Sequence, residues 1–250
     1  MIDQALMQPI KDGKFRFACN KDLPCFTKCC ANLNLVLTPY DVLRLKNRLK
    51  LSSEAFLKKY TISYVDQAYG VPVVKLKMNN DKTRQCPFVT PEGCSVYEDR
   101  PGACRLYPVG RAASKISEKH STGEYYFIIK ESHCLGFNEK RDWTVQEWVM
   151  DQGMDEYNGM NDFFMDITAG RQAKTIKALS EQQLQMYYMA CYNLDDFRRF
   201  VFETTFLDKF DITQDIQKCI KRDETELMAF ACKWLKFSLF GEKTIPLASH

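Results

Sequence analysis

The sequence predicts an α+β protein, mostly α, and three observations carry that prediction. Two runs rich in β-branched and aromatic residues, 71–78 and 125–130, flank a segment broken by Pro87, Pro91, Gly93, Pro101, Gly102 and Pro108. From Thr144 onward, helix-capping signatures and apolar residues at helical spacing take over. Eight of the eleven cysteines fall before residue 135, where the patterning is least regular. The first half therefore reads as loop-rich with a small β element, and the second as helical.

Taken in order, residues 1–37 read as irregular chain around the first cysteines. Thr38-Pro39 opens a helix, since threonine is a good N-cap and proline suits the first helical position. Val42, Leu45 and Leu49 follow at helical spacing, with Arg44, Arg48 and Lys50 on the exposed face. Ser52 or Ser53 caps a second helix through Phe56, Leu57 and Tyr60. Val71 to Met78 alternates and is rich in valine, so it reads as a strand, with Tyr125 to Lys130 as its partner. The breakers between them imply loops and short turns.

Thr144-Val-Gln-Glu147 and Ser180-Glu-Gln-Gln183 both have the capping-box form. The second precedes Leu184, Tyr187, Tyr188 and Cys191, spaced as one helix face. Asp195 or Asp196 opens a helix through Phe197, Phe200, Val201 and Phe206, and a last helix runs from Asp223 to Phe240. A change of character near residues 135–143 sets two regions, 1–137 and 138–250. Cys191 and Cys232 sit among apolar residues and read as core, because free cysteine behaves as a small hydrophobe. Cys219 has no thiol nearby in sequence.

Composition narrows the class of function. Among 250 residues, 45% are hydrophobic and 27% charged, which excludes a largely disordered chain. No apolar run approaches the ~20 residues of a membrane-spanning helix. The first ten residues lack a basic start followed by an apolar stretch, so no secretory signal is expected and a cytoplasmic location is. Residues 1–134 hold 21 Lys+Arg against 13 Asp+Glu, a balance of +8; the remainder balances at −5. The basic residues are dispersed, with Lys11, Lys14, Arg16, Lys21 and Lys28 the densest group, so nucleic-acid binding is disfavoured. Thiolates offer a better partner for the excess, since four thiolates around a divalent metal leave a charge of about −2.

The dense cysteines are Cys19, Cys25, Cys29, Cys30, Cys86, Cys94, Cys104 and Cys134. Disulfides suit them poorly, given an odd total, no signal and a chain too long for a disulfide scaffold. Metal binding suits them better, because short gaps let several sulfurs converge at about 2.3 Å from one ion. The first group is Phe17-Ala-Cys19-x5-Cys25-x3-Cys29-Cys30. The second is Cys86-Pro-Phe-x5-Cys94-Ser-Val-Tyr97-Glu-Asp-Arg100-Pro-x2-Cys104-Arg105-Leu-Tyr107-Pro108, and Ser132-His133-Cys134-Leu-Gly-Phe137 completes the set.

Across roughly residues 15–137 these motifs resemble the YkgJ-type cysteine-cluster family, described as zinc- or iron-chelating and bearing a CxxCxxCC signature. The first gaps here are wider, five and three residues. The resemblance implies metal chelation. The cluster is also similar to that of flagellin lysine-N-methylases, which would imply S-adenosylmethionine as methyl donor and a protein lysine as acceptor. The sequence offers no Gly-rich strand-to-helix loop for that nucleotide and no CxxxCxxC spacing.

The metal choice leans to one or two iron–sulfur clusters, four-iron clusters among the options, over zinc. Cys86-Pro87 has the form seen after cluster ligands, and Phe17, Phe26, Phe88, Tyr97 and Tyr107 would shield a cluster from water. Zinc sites favour paired CxxC knuckles, which this chain lacks. The expected function is thus metal binding with an electron-transfer, redox or cofactor role, served by a redox or other protein partner. The alternatives are the lysine methylase and a structural zinc protein whose helical half binds a partner.

Other candidates are weaker. His133 is a ligand, a donor to sulfur or a surface residue; Arg100 and Arg105 offset thiolate charge or form surface salt bridges. Trp143, Trp148 and Phe137 anchor a helix, and Asp151, Asp155, Glu156 and Asp162 make a solvated face. With His120, His133 and His250 the only histidines, no Ser-His-Asp or Cys-His constellation can be assembled.

Overall fold

The computed structural model of the chain describes residues 6–116, 121–173 and 178–248; His120 and His250 lie outside the described residues. In chain order its strands are β1 (Met7–Pro9), β2 (Lys14–Arg16), β3 (Val36–Leu37), β4 (Thr61–Val65), β5 (Pro72–Leu76), β6 (Val89–Thr90), β7 (Gly93–Cys94), β8 (Val109–Ile116), β9 (Ser121–Ile129) and β10 (Asp142–Thr144). Its helices are α1 (Pro39–Arg48), α2 (Ser53–Tyr60), α3 (Gly102–Leu106), α4 (Val145–Asp151), α5 (Met154–Ala173), α6 (Glu181–Tyr192), α7 (Leu194–Phe202), α8 (Phe206–Lys209), α9 (Gln214–Arg222) and α10 (Glu224–Phe240). At 49% helix and 17% strand, the chain is α+β and mostly α.

It divides into two compact units, Met1–Leu35 with Lys77–Asn158, and Val36–Leu76 with Gly159–His250. Each is discontinuous in sequence, unlike the consecutive regions 1–137 and 138–250 set by composition. The differences lie in residues 36–76, whose two helices and sheet pack with the C-terminal helices, and in residues 138–158, which fall in the first unit.

All eight dense cysteines lie in the first unit. Its largest sheet has the order β1-β9-β8, antiparallel throughout. The strand expected at Tyr125–Lys130 is the end of β9, and it pairs with β8 and β1 instead of with residues 71–78. Two small antiparallel pairs, β2 with β10 and β6 with β7, complete the strands of this unit. The described part of residues 1–37, read as irregular, thus contains β1, β2 and the two residues of β3, all too short to show an alternation. At the start of α4 the Thr144 hydroxyl accepts from the Glu147 N–H at 3.1 Å, and Glu147 accepts from the Thr144 N–H at 2.8 Å. The capping box read from sequence is present.

In the second unit, α1 starts as expected at Thr38-Pro39. Asp41, three residues on, closes a capping box by accepting the Thr38 N–H at 2.8 Å. Ser52 caps α2, while the Ser53 N–H donates to Asp195 at 2.6 Å. The strand expected at 71–78 is β5, central in the sheet order β3-β5-β4, with Val74 opposite both Leu37 and Ser63. Val74 and Leu76 are buried and the residues between them half-exposed, which is the alternation visible in the sequence. β4, not expected from the sequence, begins directly where α2 ends, and four of its five residues are exposed.

The helices bury a run of aromatic rings. Phe200 meets Trp234 at 5.2 Å and Phe206 meets Phe210 at 4.6 Å, while Phe197 lies 5.6 Å from Trp234. α7 is capped by Asn193, not by Asp195 or Asp196, which occupy its first turn and there complement the helix dipole. Asp223 caps α10 through the N–H groups of Thr225 and Glu226, and Gly241 ends it in the left-handed conformation. Cys191 and Cys232 are buried, and Cys219 is exposed on α9. The core reading of the first two is correct.

The Lys46 ammonium, 4% exposed as a residue, donates to Glu224 at 2.7 Å; Asn47 and Arg198 donate to the same carboxylate at 2.9 and 3.3 Å. Burial disfavours charge on Glu224. The hydrogen bonds from Lys46 and Asn47, with the charges of Lys46 and Arg198, outweigh burial and hold its carboxyl below the usual range. Its stabilisation is therefore complete above the unfolded value of about 4.3 and is lost as pH falls through the lower folded value. Glu224→Gln leaves Lys46 buried without its counter-charge and is expected to cost about 3 kcal/mol at neutral pH. Urea denaturation of wild type and variant at pH 7 and in acid checks this: the gap between them shrinks in acid.

Candidate metal centre

Short hydrogen bonds pin the first cysteine group. After β2, the Phe17 N–H donates to the Arg141 carbonyl at 2.9 Å and the Ala18 N–H to the Gly136 carbonyl at 3.1 Å. The Trp143 indole N–H donates to the Phe17 carbonyl at 2.9 Å, and that of Trp148 to the Leu106 carbonyl at 2.7 Å. Around the Phe17 ring stand Phe137, Trp148 and Tyr107, at 5.3, 5.7 and 6.1 Å. Trp148 anchors α4 as expected, whereas Trp143 stands on β10 and also lines a shallow cavity with Arg141 and Met150, and Phe137 lies in a 3-10 turn. This packing sets the segment before Cys19 against the turn that follows Cys134, and the Leu135 N–H donates to the Cys25 sulfur at 3.3 Å. Cys29 and Cys30 share a 3-10 turn, Lys28–Cys30, entered through Thr27 in the left-handed conformation.

The second group is organised by pairing. The Cys86 N–H donates to the Cys30 carbonyl at 2.7 Å, and Ala31 bridges to Gln85. In the β6–β7 pair Val89 faces Cys94, and the Ser95 N–H donates to the Phe88 carbonyl at 2.8 Å. Gly93, at φ 122, leaves room for the Phe26 ring, 3.2 Å from where a Cβ would sit. Cys104 lies on α3, which opens after Pro101.

Around the second group the Val89 N–H donates to the Cys86 carbonyl at 3.2 Å, and the backbone amides of Phe88 and Val89 at Cys86 and of Val96 at Cys94 partly oppose the rise that burial causes. None of the eleven cysteines is in a disulfide. By donor chemistry, residues Cys19, Cys25, Cys29, Cys30, Cys86, Cys94, Cys104 and Cys134 fit a soft or borderline metal such as zinc or iron. Among the described residues no three Cys, His, Asp or Glu side chains yet form a group able to hold an ion. Backbone pairing brings the segments together, and side-chain convergence is the step that a metal would supply.

The thiols sense one another. Burial first, then the charges of Cys29, Cys25 and Cys134, push Cys19 up to about 11. Cys30 donates to Cys29, which holds the Cys29 thiol below its ordinary value. That bond, then burial, then the charges of Cys29, Cys104 and Cys86 push Cys30 far up. Burial also raises Cys86 and Cys94, although the Arg100 charge works the other way on Cys94.

Arg100 and Arg105 do more than offset charge. Arg100 stacks 3.8 Å over the Tyr97 ring and donates to the Tyr97 carbonyl and the Gln152 side chain, each at 2.6 Å. Arg105 donates to the carbonyls of Gln152, at 2.7 Å, and of Glu98. Both therefore tie the segment between Cys94 and Cys104 to the end of α4. Asp151, Asp155 and Glu156 are exposed, as a solvated face should be, whereas Asp162 is half-buried.

One group was missed by sequence. Glu131 stands 3.6 Å from the His133 Nε2 and acts by charge on Cys29 and Tyr107. The Tyr107 hydroxyl is buried beside Cys134 and Glu131 without closing a well-formed hydrogen bond, and the His133 Nε2 is likewise unpartnered apart from that ion pair. The spacing Glu-x-His-Cys was the signal available.

Residues 18–141 match the family model described as "CxxCxxCC: Putative zinc- or iron-chelating domain". No curated protein and no solved structure matches the chain.

Gly136 offers a direct test of how this centre is supported. A Cβ there would lie 2.5 Å from the Phe17 ring and 2.6 Å from the Ala18 carbonyl oxygen, and backbone cannot swing aside as a long side chain can. Gly136→Ala is expected to destabilise the first unit by about 1–3 kcal/mol, the usual cost of overpacking. A lowered denaturation midpoint, with faster alkylation of Cys19 and Cys134, checks it.

Proposed function

Over residues 18–141 the chain belongs to the CxxCxxCC family of zinc- or iron-chelating domains, and we propose that its metal is iron, held as iron–sulfur clusters by the eight cysteines of the first unit. The observation that carries this reading is the combination of eight thiols gathered in one unit with an amide donor at the Cys25 sulfur and buried aromatic rings close by. Phe17 and Phe88 are 2% and 4% exposed, and Phe26 packs on Gly93 between the cysteine groups. Hydrogen bonds to sulfur and exclusion of water are the means by which a protein sets a cluster's reduction potential. A bound cluster would supply one-electron redox chemistry; the chain's own residues would hold it, shield it and tune it.

An electron-transfer or redox-sensing role follows, with a redox partner protein and a reducing compartment that keeps the thiols free. Among the described residues no helix is long and apolar enough to cross a membrane.

Metal and acid-labile sulfide analysis on protein purified without oxygen tests this. Iron with matching sulfide, and a visible absorption that dithionite bleaches, is the expected result. Zinc without sulfide would overturn the cluster assignment and leave a zinc-chelating domain.

A further inference from the structure

We propose that a second copy of this chain docks on the free edge of the β3-β5-β4 sheet, with β4 pairing antiparallel to β4 of the second copy about a two-fold axis at Ser63. The inference concerns the second unit and stands apart from the metal reading.

The sheet gathers apolar surface that a monomer has no use for. Of the eleven large apolar side chains exposed among the described residues, Val36, Ile62, Tyr64, Val65 and Tyr69 lie on this sheet or in the loop joining β4 to β5, each 42–48% exposed. Val36 and Ile62 both stand opposite Lys75, and Tyr64 stands opposite Val73. Side chains alternate along a strand, so Val36, Ile62, Tyr64 and Val73 share one face around Lys75. Val74 and Leu76 are buried on the other face, and α6 packs against β5. An apolar patch of this kind marks an interaction surface.

The edge beside that patch is unguarded. Edge strands are commonly protected by a lysine, a proline or an inward-pointing charge. Thr61–Val65 (TISYV) has none of these. The Asp66 N–H donates to the Val71 carbonyl at 2.9 Å, and hydrogen-bonded pairs alternate along an antiparallel ladder. Ile62 and Tyr64 therefore bond β5, while Thr61, Ser63 and Val65 turn their backbone groups to the outer edge. The Thr61 N–H closes α2 on the Leu57 carbonyl, which leaves the N–H groups of Ser63 and Val65 facing outward.

A second copy fits because this edge is complementary to itself, as a two-fold interface requires. About the axis, Ser63 exchanges N–H···O bonds with Ser63 of the second copy, and the Val65 N–H meets the Thr61 carbonyl across the seam. Ile62 then faces Tyr64 of the second copy on the open apolar face, an aliphatic–aromatic cross-strand pair. Charge selects the same direction. Lys58 and Lys59 precede β4 and Asp66 follows it, so antiparallel pairing brings the basic end of each strand to the acidic end of the other. Parallel pairing would set like charges side by side.

Sedimentation equilibrium of the full chain over a concentration series tests this, together with hydrogen exchange at low and high concentration. Wild type and the control Ile216→Lys, on α9, are expected to reach twice the mass of one chain. Ile62→Lys and Tyr64→Lys should weaken association at least tenfold with unchanged far-UV circular dichroism. The Ser63 and Val65 amides should gain protection as wild type associates; if a variant loses helix signal, this measurement decides. A wild-type chain that stays monomeric throughout would overturn the proposal. So would a dimer as tight in both lysine variants, or one whose Ser63 and Val65 amides exchange as fast as in the monomer. Metal-loaded and chelator-treated chains should associate alike, and dissociation on chelation would place the interface in the first unit instead.

Discussion

Crowded thiols are the constraint on which the first unit turns. Eight of them lie in one unit, and at Cys19 and Cys30 the charge of neighbouring sulfurs adds to the cost of ionisation. Protonated thiols give loops no cross-link, and free thiolates repel. Under the proposed reading a cation resolves both difficulties, replacing protons with a charge that several sulfurs share. Binding free energy then becomes folding free energy, because the site does not exist in the unfolded chain.

What the protein supplies is the approach. The tryptophan indoles lock onto main-chain carbonyls of Phe17 and Leu106, and the arginines at 100 and 105 tie their own segment to the carbonyl and side chain of Gln152. These bonds fix the backbone on either side of the cysteines while leaving the sulfurs to adjust. The second unit is built on the opposite principle. Its aromatic rings and capped helices bury a continuous apolar core, and its cysteines are ordinary core or surface residues.

Much of this was written in local patterns. Thr38-Pro39, Thr144 with Glu147, Ser180 with Gln183 and Asp223 each announce a helix start because capping is chemistry within four residues. Strand pairing was not legible: residues 71–78 and 125–130 both have strand composition, and nothing local says that each finds its own partners. β4 follows α2 with no residue between them, so no turn signal marks its start. In the cysteine region the residue types marked the chemistry, but the approach of the cysteine-bearing segments depends on the Cys86–Cys30 and Ala18–Gly136 hydrogen bonds, which join residues far apart in sequence. The roles of Glu131 and Gly136 likewise exist only once the chain has folded.

The central claim is that metal orders the cysteine-bearing segments and leaves the helical unit to its own core. Hydrogen exchange on the metal-loaded and chelator-treated chain tests it most directly. The account predicts that chelation strips protection from the amides of Cys30, Cys86, Ser95 and Leu135 while those within α6, α7 and α10 keep theirs. Equal protection of the cysteine segments with and without metal would contradict it.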